Sequence, residues 1–294
     1  MRGKRASGRG IQMAGNTEIS PIVKWVGGKR QLLADIMPLI PKKYSTYIEP
    51  FVGGGAVFFE LQPKKAIIND YNSELINVYL TVRDAAEELI ELLEKHNAQN
   101  SEEYFYEIRA MDRRADYEHI SNTIKAARII YLNKTCYNGL YRVNMAGQFN
   151  APYGKYKKPN IVNAETIRAM SKYLQRKSIE ICNGDYKEIL KRARRGAFVY
   201  LDPPYMPISL SSSFTGYTEN GFSYEQQECL KKECDKLRAK KIAFLQSNSD
   251  CPEIRSLYKD YEIRTVQAKR SINSNAAKRG EISEVLICYV PDTE

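Results

Sequence analysis

Residues 47–70 constrain the fold of this 294-residue chain more than any other stretch. Tyr47-Ile48-Glu49 reads as a short buried strand. It runs into Pro50-Phe51-Val52-Gly53-Gly54-Gly55, then an apolar helix from Ala56 to Leu61, then a second strand, Ala66-Ile67-Ile68-Asn69, that ends in Asp70. Strand, glycine-rich turn, helix, strand and acid form the opening of a nucleotide-binding α/β unit. The glycines let backbone approach a ligand at the carboxyl end of a strand. Asp70 stands where an acid can hydrogen-bond ribose hydroxyls. Neither standard phosphate fingerprint is present: Gly27-Gly28-Lys29 is followed by Arg30, and no G-x-G-x-x-G occurs. A turn packed on a helix would use the same glycines, so the acid that follows is what tilts the pattern toward an adenosine-containing ligand.

The second constraint lies far downstream. Ala197-Phe198-Val199-Tyr200-Leu201 is a continuous apolar run, as a central parallel strand requires. It stops at Asp202-Pro203-Pro204-Tyr205. An acid at a strand tip followed by two prolines gives a stiff loop that exposes carbonyls and lacks two N–H donors; Tyr205 then offers a stacking face. This arrangement suits methylation of an aromatic amine such as adenine N6, whose lone pair is delocalised into the ring. A carboxylate and a backbone carbonyl can each accept one amino hydrogen, which favours a pyramidal nitrogen with its lone pair aimed outward. Positioning then supplies most of the catalysis. The four residues alone admit an amine in DNA, RNA or protein.

Between these motifs the chain changes character. Glu74 to His96 is helical by period, with Leu75, Val78, Val82, Leu89 and Leu92 apolar, and Thr123 to Lys134 is another helix. A hairpin follows from Tyr141 to Pro152, turning near Ala146-Gly147. This middle third is basic and tyrosine-rich; Tyr153-Gly154-Lys155-Tyr156-Lys157-Lys158 interleaves aromatic faces with cations, a pattern suited to bases and phosphates. The chain carries a net charge of +10, with Arg2, Lys4, Arg5 and Arg9 contributing in a glycine-rich leader, so the remainder is still basic, as for a polyanion binder. After the second motif, residues 206–222 read as a mobile loop. Ser223 and Gln226 form a capping box for a helix to about Lys240, and Ile242 to Gln246 is a strand. Glu262–Ala268 and Ser283–Val290 read as paired strands joined by a basic loop that includes Lys269, Arg270, Lys278 and Arg279. Six cysteines without a Cys-x-x-Cys pair, and two histidines, argue against a structural zinc site and for reduced thiols in a cytoplasm. No apolar run approaches the length of a membrane span.

Several motifs together resemble one family. Asp202 to Tyr205 resembles the catalytic D-P-P-Y motif of amino-methyltransferases. Lys24-Trp25-Val26-Gly27-Gly28-Lys29 and Glu49-Pro50-Phe51-Val52-Gly53-Gly54-Gly55 look like the two S-adenosylmethionine (AdoMet) motifs of the Dam-type DNA adenine methyltransferases. Cys136-Tyr137-Asn138-Gly139-Leu140-Tyr141-Arg142 with Phe149-Asn150-Ala151-Pro152-Tyr153-Gly154 is similar to that family's DNA-recognition hairpin. The order is that of the α-class, and the likeness runs from about Ile22 to Tyr289, nearest to the GATC-modifying branch.

The resemblance implies an α/β, Rossmann-like methyltransferase sheet of seven strands with the last antiparallel, carrying an inserted, mainly helical recognition domain with a β-hairpin. The implied division is a leader at 1–18, a catalytic domain at 19–72 and 181–294, and a target-recognition domain at 73–180. AdoMet contacts fall on Trp25, Gly27, Lys29, Glu49, Pro50, Phe51, Gly53, Gly55, Asp70, Asp185, Tyr186 and Asp202. In the Asp185-Tyr186 element, Tyr stands where relatives carry Phe. Asp202, Pro203, Pro204 and Tyr205 hold the target adenine. DNA contacts fall on Lys24, Tyr137, Asn138, Leu140, Arg142, Asn144, Pro152, Tyr156 and Lys157. Arg142 has a physical rationale of its own, since Arg on guanine O6 and N7 is the commonest specific contact in the major groove. The expected product is S-adenosyl-L-homocysteine, and no metal is called for. Adenine N6 inside a duplex cannot reach a buried sulfonium, so the base must leave the stack; Tyr137 or Leu140 could fill the gap. The expected partner is double-stranded DNA, with no membrane. A monomer is expected, two copies meeting at a palindromic site, in a bacterial cytoplasm that the gene reaches directly or through a phage. Two rival readings remain at this point: an RNA or protein amino-methyltransferase, and a non-catalytic DNA-binding regulator.

Overall fold

A computed structural model describes residues 19–206, 222–269 and 281–291. The leader at 1–18, most of the loop expected after Met206 and most of the basic loop from Lys269 to Arg279 lie outside the described residues. Two short 3-10 turns flank α1 (Leu33–Ile36) ahead of β1 (Tyr47–Glu49), α2 (Ala56–Leu61) and β2 (Ala66–Asp70). A helical stretch follows: α3 (Ser73–Asp84), α4 (Ala86–Gln99), α5 (Glu102–Ala110) and α6 (Asn122–Thr135). After the hairpin segment come α7 (Ala164–Leu174), β3 (Ile179–Asn183), α8 (Tyr186–Leu190) and β4 (Phe198–Leu201). The chain continues with α9 (Tyr224–Ala239), β5 (Ala243–Ser249), α10 (Pro252–Leu257), β6 (Glu262–Lys269) and β7 (Glu281–Tyr289).

The seven strands form one sheet in the order β3-β2-β1-β4-β5-β7-β6. The first five are parallel, and β7 runs antiparallel between β5 and β6, so the expected sheet with its last strand reversed is present. Its reversal places the start of β7 at the edge where the parallel strands end: Glu284 pairs with Ser249, the last residue of β5. Strands β1, β4 and β5 are buried along their whole length, as parallel strands covered on both faces must be. Alternation sorts their side chains. Tyr47, Ile68, Phe198, Tyr200 and Leu245 join the apolar cluster that contains residues of α2, α3, α6 and α7. Ile48, Ile67, Val199, Leu201 and Phe244 face the opposite way, with α9 and α10.

Local chemistry explains the helix starts. Asn72, Ser101, Ser121 and Asn163 accept backbone N–H bonds at the N-termini of α3, α5, α6 and α7. Ser223 and Gln226 form the expected capping box on α9. Two differences from the sequence reading stand out. The helix expected over 74–96 is two helices broken at Ala85, whose φ of −137° is not helical. Both helices pack against α6 and α7, and α3 also lies against the sheet strands β2 and β3, so the break lets the chain leave the sheet while its apolar residues stay buried. Strand β3 was not read from sequence, although Ile179, Ile181 and the intervening Glu180 alternate as an edge strand should.

The hairpin is held from below. Val143 bridges Phe149 and Cys136 bridges Tyr153. Asn144 Oδ1 accepts from the N–H groups of Ala146 and Gln148 around Gly147, whose φ of +72° explains the glycine at the expected turn. Asp112 Oδ2 accepts from Phe149 N–H at 2.7 Å and pairs with the buried Arg128 guanidinium at 2.7 Å. Arg128 also donates to the carbonyls of Ile108 and Arg109 and to the Tyr117 hydroxyl. Replacing Arg128 with Ala strands these acceptors and leaves half-exposed Arg113 as the remaining cation on Asp112 among the described residues. We expect Arg128→Ala to lower the unfolding free energy by about 3–5 kcal/mol in urea denaturation; a change below about 1 kcal/mol would show that the hairpin support is not coupled to the core.

Candidate active site

The site sits where β1, β2 and β4 end. The Lys29 ammonium is buried; it lies 2.8 Å from Asp202 Oδ1, donates to the Gly27 carbonyl at 2.5 Å and stands 4.5 Å over the centre of the Tyr205 ring. One cation thus ties the segment around Gly27 to the tip of β4. Beyond Asp202 the loop is fixed from behind. Gln227 of α9 donates to the Pro204 carbonyl and accepts from Asn248, whose own Oδ1 accepts from the N–H of Met206. Ser249 Oγ donates to the Met206 carbonyl. The Pro204 carbonyl is therefore engaged, whereas the Pro203 carbonyl has no hydrogen-bond partner among the described residues. The Tyr205 hydroxyl donates to Glu284 Oε2 at 2.5 Å.

The glycine turn is braced by its neighbours. Asp70 Oδ2 accepts from Gly53 N–H at 3.0 Å and Oδ1 from Asn72 N–H at 2.9 Å, so one carboxylate oxygen braces the glycine turn and the other the start of α3. Asn69 donates to the carbonyls of Pro50 and Gly184, and Tyr79 donates to the carbonyl of Gly53. Gly53 and Gly55 have φ of +50° and +73°. A Cβ on Gly53 would stand 3.1 Å from Trp25, and one on Gly55 would meet Tyr79 and Phe59, so close approach as well as backbone conformation calls for glycine. Phe51, Tyr186 and Phe222 form an aromatic group beside this turn, with ring centres 5.0 and 6.2 Å from Phe51. Asp185 caps α8 through Lys187 N–H.

The electrostatics are lopsided. Glu49 is buried and accepts from the Tyr47 hydroxyl at 2.8 Å; burial pushes its carboxyl well up, and the charges of Asp202 and Asp70 add to the shift. Burial likewise raises Asp70 against three backbone N–H bonds. Burial pushes Asp202 up to about 6, with Lys29 opposing and Glu284 reinforcing. Four carboxylates thus share one neighbourhood, and Lys29 is the cation in direct contact with it. Such a pocket favours a positively charged ligand. A sulfonium donor with an adenosine moiety fits this charge, the aromatic group and the glycine turn together. Lys29, Asp202, Glu49, Asp70, Phe51 and Tyr186 are the residues that would hold it.

The residues expected on DNA form a second, solvent-facing set. Lys24, Tyr137, Arg142, Asn144, Pro152, Tyr156 and Lys157 are exposed, and Asn138 and Leu140 are half-buried. Arg142 is turned onto Asn150, to which it gives two hydrogen bonds within the hairpin. Asn138 adopts a left-handed backbone at φ 59°. Trp25 joins the two sets: it packs on Gly53 and stacks on Tyr141 of the hairpin at 4.8 Å. A residue not singled out from sequence makes the tighter link. Buried Asn133 of α6 accepts from Lys24 N–H at 2.8 Å and donates to the carbonyls of Lys24 and Gly139. Lys24, Gly139 and the turn carrying Tyr137 and Asn138 are thereby clamped together. Nothing in the pattern around Asn133 marked it; an asparagine amid the apolar run of α6 was the available signal.

A carboxylate-rich pocket at the carboxyl edge of a sheet with a reversed last strand, closed by Asp-Pro-Pro-Tyr, defines an α/β amino-methyltransferase. The sequence pattern of the D12 class N6 adenine-specific DNA methyltransferases matches residues 25–272, and the chain belongs to that family. It is 48% identical over 269 residues to the type II methyltransferase M1.LlaDCHI of Lactococcus lactis subsp. cremoris, covering 92% of this chain and 95% of that one. It is 39% identical to the type II methyltransferase M.MjaIII of Methanocaldococcus jannaschii, covering 92% and 99%. It is 35% identical to the DNA adenine methylase of Escherichia coli strain K12, covering 92% and 95%. The protein is an adenine-specific DNA methyltransferase, a family that uses AdoMet as methyl donor. The RNA, protein and regulator readings fall away.

If Asp202 accepts an amino hydrogen of the substrate, as proposed below, its ionised form is the stronger acceptor. With its carboxyl pushed up to about 6, the single-turnover rate should rise with pH through that region and level off above it. A profile that stays flat down to about pH 4.5 would contradict this role for the carboxylate.

Proposed function

We propose that the enzyme methylates adenine N6 in duplex DNA at GATC, after rotating the target base out of the helix. The observation that supports this most is the pairing of Lys29 with Asp202 beside Tyr205, on a segment that Asn133 ties to the exposed hairpin. A base-reading surface and an amine-methylating tip are thus mechanically joined.

In this reading Asp202 and the Pro203 carbonyl each accept one amino hydrogen of the target adenine, and Tyr205 stacks on its ring. Lys29 keeps Asp202 ionised and aimed. The Pro204 carbonyl, held by Gln227, keeps the loop rigid rather than touching the base. Bound AdoMet supplies a methyl on a sulfonium, whose S–C bond breaks with its electron pair going to sulfur as the N6 lone pair forms the new N–C bond, leaving S-adenosyl-L-homocysteine. N6 then sheds one proton, and Asp202 is the acceptor already in contact. In-line placement supplies most of the acceleration, and the protein needs no metal for it.

DNA lies across the exposed hairpin, with residues 73–180 serving target recognition and 19–72 with 181–294 serving donor binding and transfer. Arg142 leaves Asn150 to read a guanine, Lys24 reads a second base, and Tyr137, Asn138 or Leu140 fills the space left by the adenine. Pro152 contacts a thymine, and Asn144, Tyr156 and Lys157 follow the backbone. The enzyme works as a monomer, two copies serving the two strands of the palindrome, in a bacterial cytoplasm.

The test is transfer of labelled methyl from AdoMet to two matched duplexes, one with a single GATC and one with its adenine replaced. Label in the first alone is expected. Equal label in both would leave the adenine methyltransferase but remove the GATC assignment.

A further inference from the structure

Two prolines fix the backbone ahead of Tyr205, but its side chain keeps its own torsions. A ring that must meet an incoming base loses rate for every orientation it samples other than the productive one. In this enzyme the ring is held at both ends: Lys29 Nζ stands 4.5 Å over its centre, and its hydroxyl donates to Glu284 Oε2 at 2.5 Å. Glu284 comes from the opposite end of the sequence. It reaches the site because β7 is antiparallel and begins at the edge where β4 and β5 end; its register partners are Ser249 of β5 and Val266 of β6. Ser249 is itself bonded to the carbonyl of Met206, the residue after Tyr205. The acceptor therefore sits on a rigid strand, anchored beside the loop it serves.

The chemistry of the acceptor is informative. Among the described residues no cation pairs with Glu284; its polar partner is the phenol. Its charge works against the neighbouring carboxylate, since it reinforces the rise of Asp202. A neutral acceptor would avoid that penalty. What the acid adds is a strong, charge-assisted bond to the Tyr205 hydroxyl.

We propose that Glu284 is a positioning residue for methyl transfer, whose carboxylate fixes the ring plane of Tyr205 before the target adenine arrives. This rests on the reading that Tyr205 stacks on the adenine. Glu284 acts through Tyr205 and not on the substrate, so its removal slows transfer without weakening the binding of either substrate.

The experiment is single-turnover methylation of a GATC duplex by the full-length enzyme, with Kd for DNA and AdoMet measured separately, for Glu284→Ala, Glu284→Gln, Tyr205→Phe, Tyr205→Ala and the double variant Tyr205→Phe/Glu284→Ala. Glu284→Ala should slow transfer by about 10- to 100-fold, with both Kd values changed by less than about threefold. Glu284→Gln keeps the shape and an oxygen that accepts from the phenol but loses the charge assistance, and should fall between Glu284→Ala and the unaltered enzyme. The double variant should be within about twofold of the slower single variant, because both changes remove one hydrogen bond. Wild-type rates in Glu284→Ala, additive losses in the double variant, or an equal loss in Glu284→Gln and Glu284→Ala would each overturn the proposal. Full activity of Tyr205→Ala would instead sink the stacking role of Tyr205, and this proposal with it.

Discussion

The buried ion pair between Lys29 and Asp202 is the contact on which the rest of the site depends. As a source of stability such a pair counts for little, since desolvating both charges offsets most of their attraction. Its value is placement. Lys29 lies in a segment with no regular partner strand, and Asp202 ends the central strand β4; the 2.8 Å contact sets the distance between them. From Lys29 the arrangement extends to the Gly27 carbonyl and the Tyr205 ring, and from Asp202 to the loop that Gln227, Asn248 and Ser249 hold in place. The same ammonium offsets the charge of Asp202, while Glu49, Asp70 and Glu284 lie near it without a cation of their own among the described residues, leaving a site suited to a cationic donor.

The second half of the design couples this site to the exposed hairpin proposed to meet DNA. Asn133 satisfies both backbone groups of Lys24 and the carbonyl of Gly139, so the residue expected to read a base and the turn expected to fill the vacated stack move as one body. Trp25 repeats the link by lying between Gly53 and Tyr141. The hairpin is therefore not mechanically independent of the edge that carries Lys29 and Gly53. A protein that must find one adenine among many gains from that coupling, since a hairpin that fits its site also holds the catalytic edge in register.

The legible parts were those with local pattern. Tyr47 to Asp70 carried its strand, turn, helix and strand in sequence because glycines and apolar runs encode backbone shape directly, and Asp202 to Tyr205 was legible because two prolines after an apolar strand leave few alternatives. The capping box at Ser223 and the turn at Gly147 were read for the same reason. Asn133, Gln227, Asn248 and Glu284 were not. Each is a single polar side chain whose partner lies far away in the chain, so its role exists only once the sheet and helices bring the two together. The bond by which Asp70 braces Gly53 is likewise a contact that local sequence does not reveal. The break at Ala85 was hidden because the two helices share an apolar period but not a direction.

The most direct test of the central claim is the pH profile of single-turnover methyl transfer in Lys29→Gln beside the unaltered enzyme. If Lys29 holds Asp202 ionised, removing the ammonium raises the carboxyl further and moves the acid limb to higher pH, so that the loss is large near pH 6 and shrinks on the alkaline side. A variant slowed by the same factor at every pH would show that Lys29 does not govern the charge of Asp202, and the account built on that pair would fail.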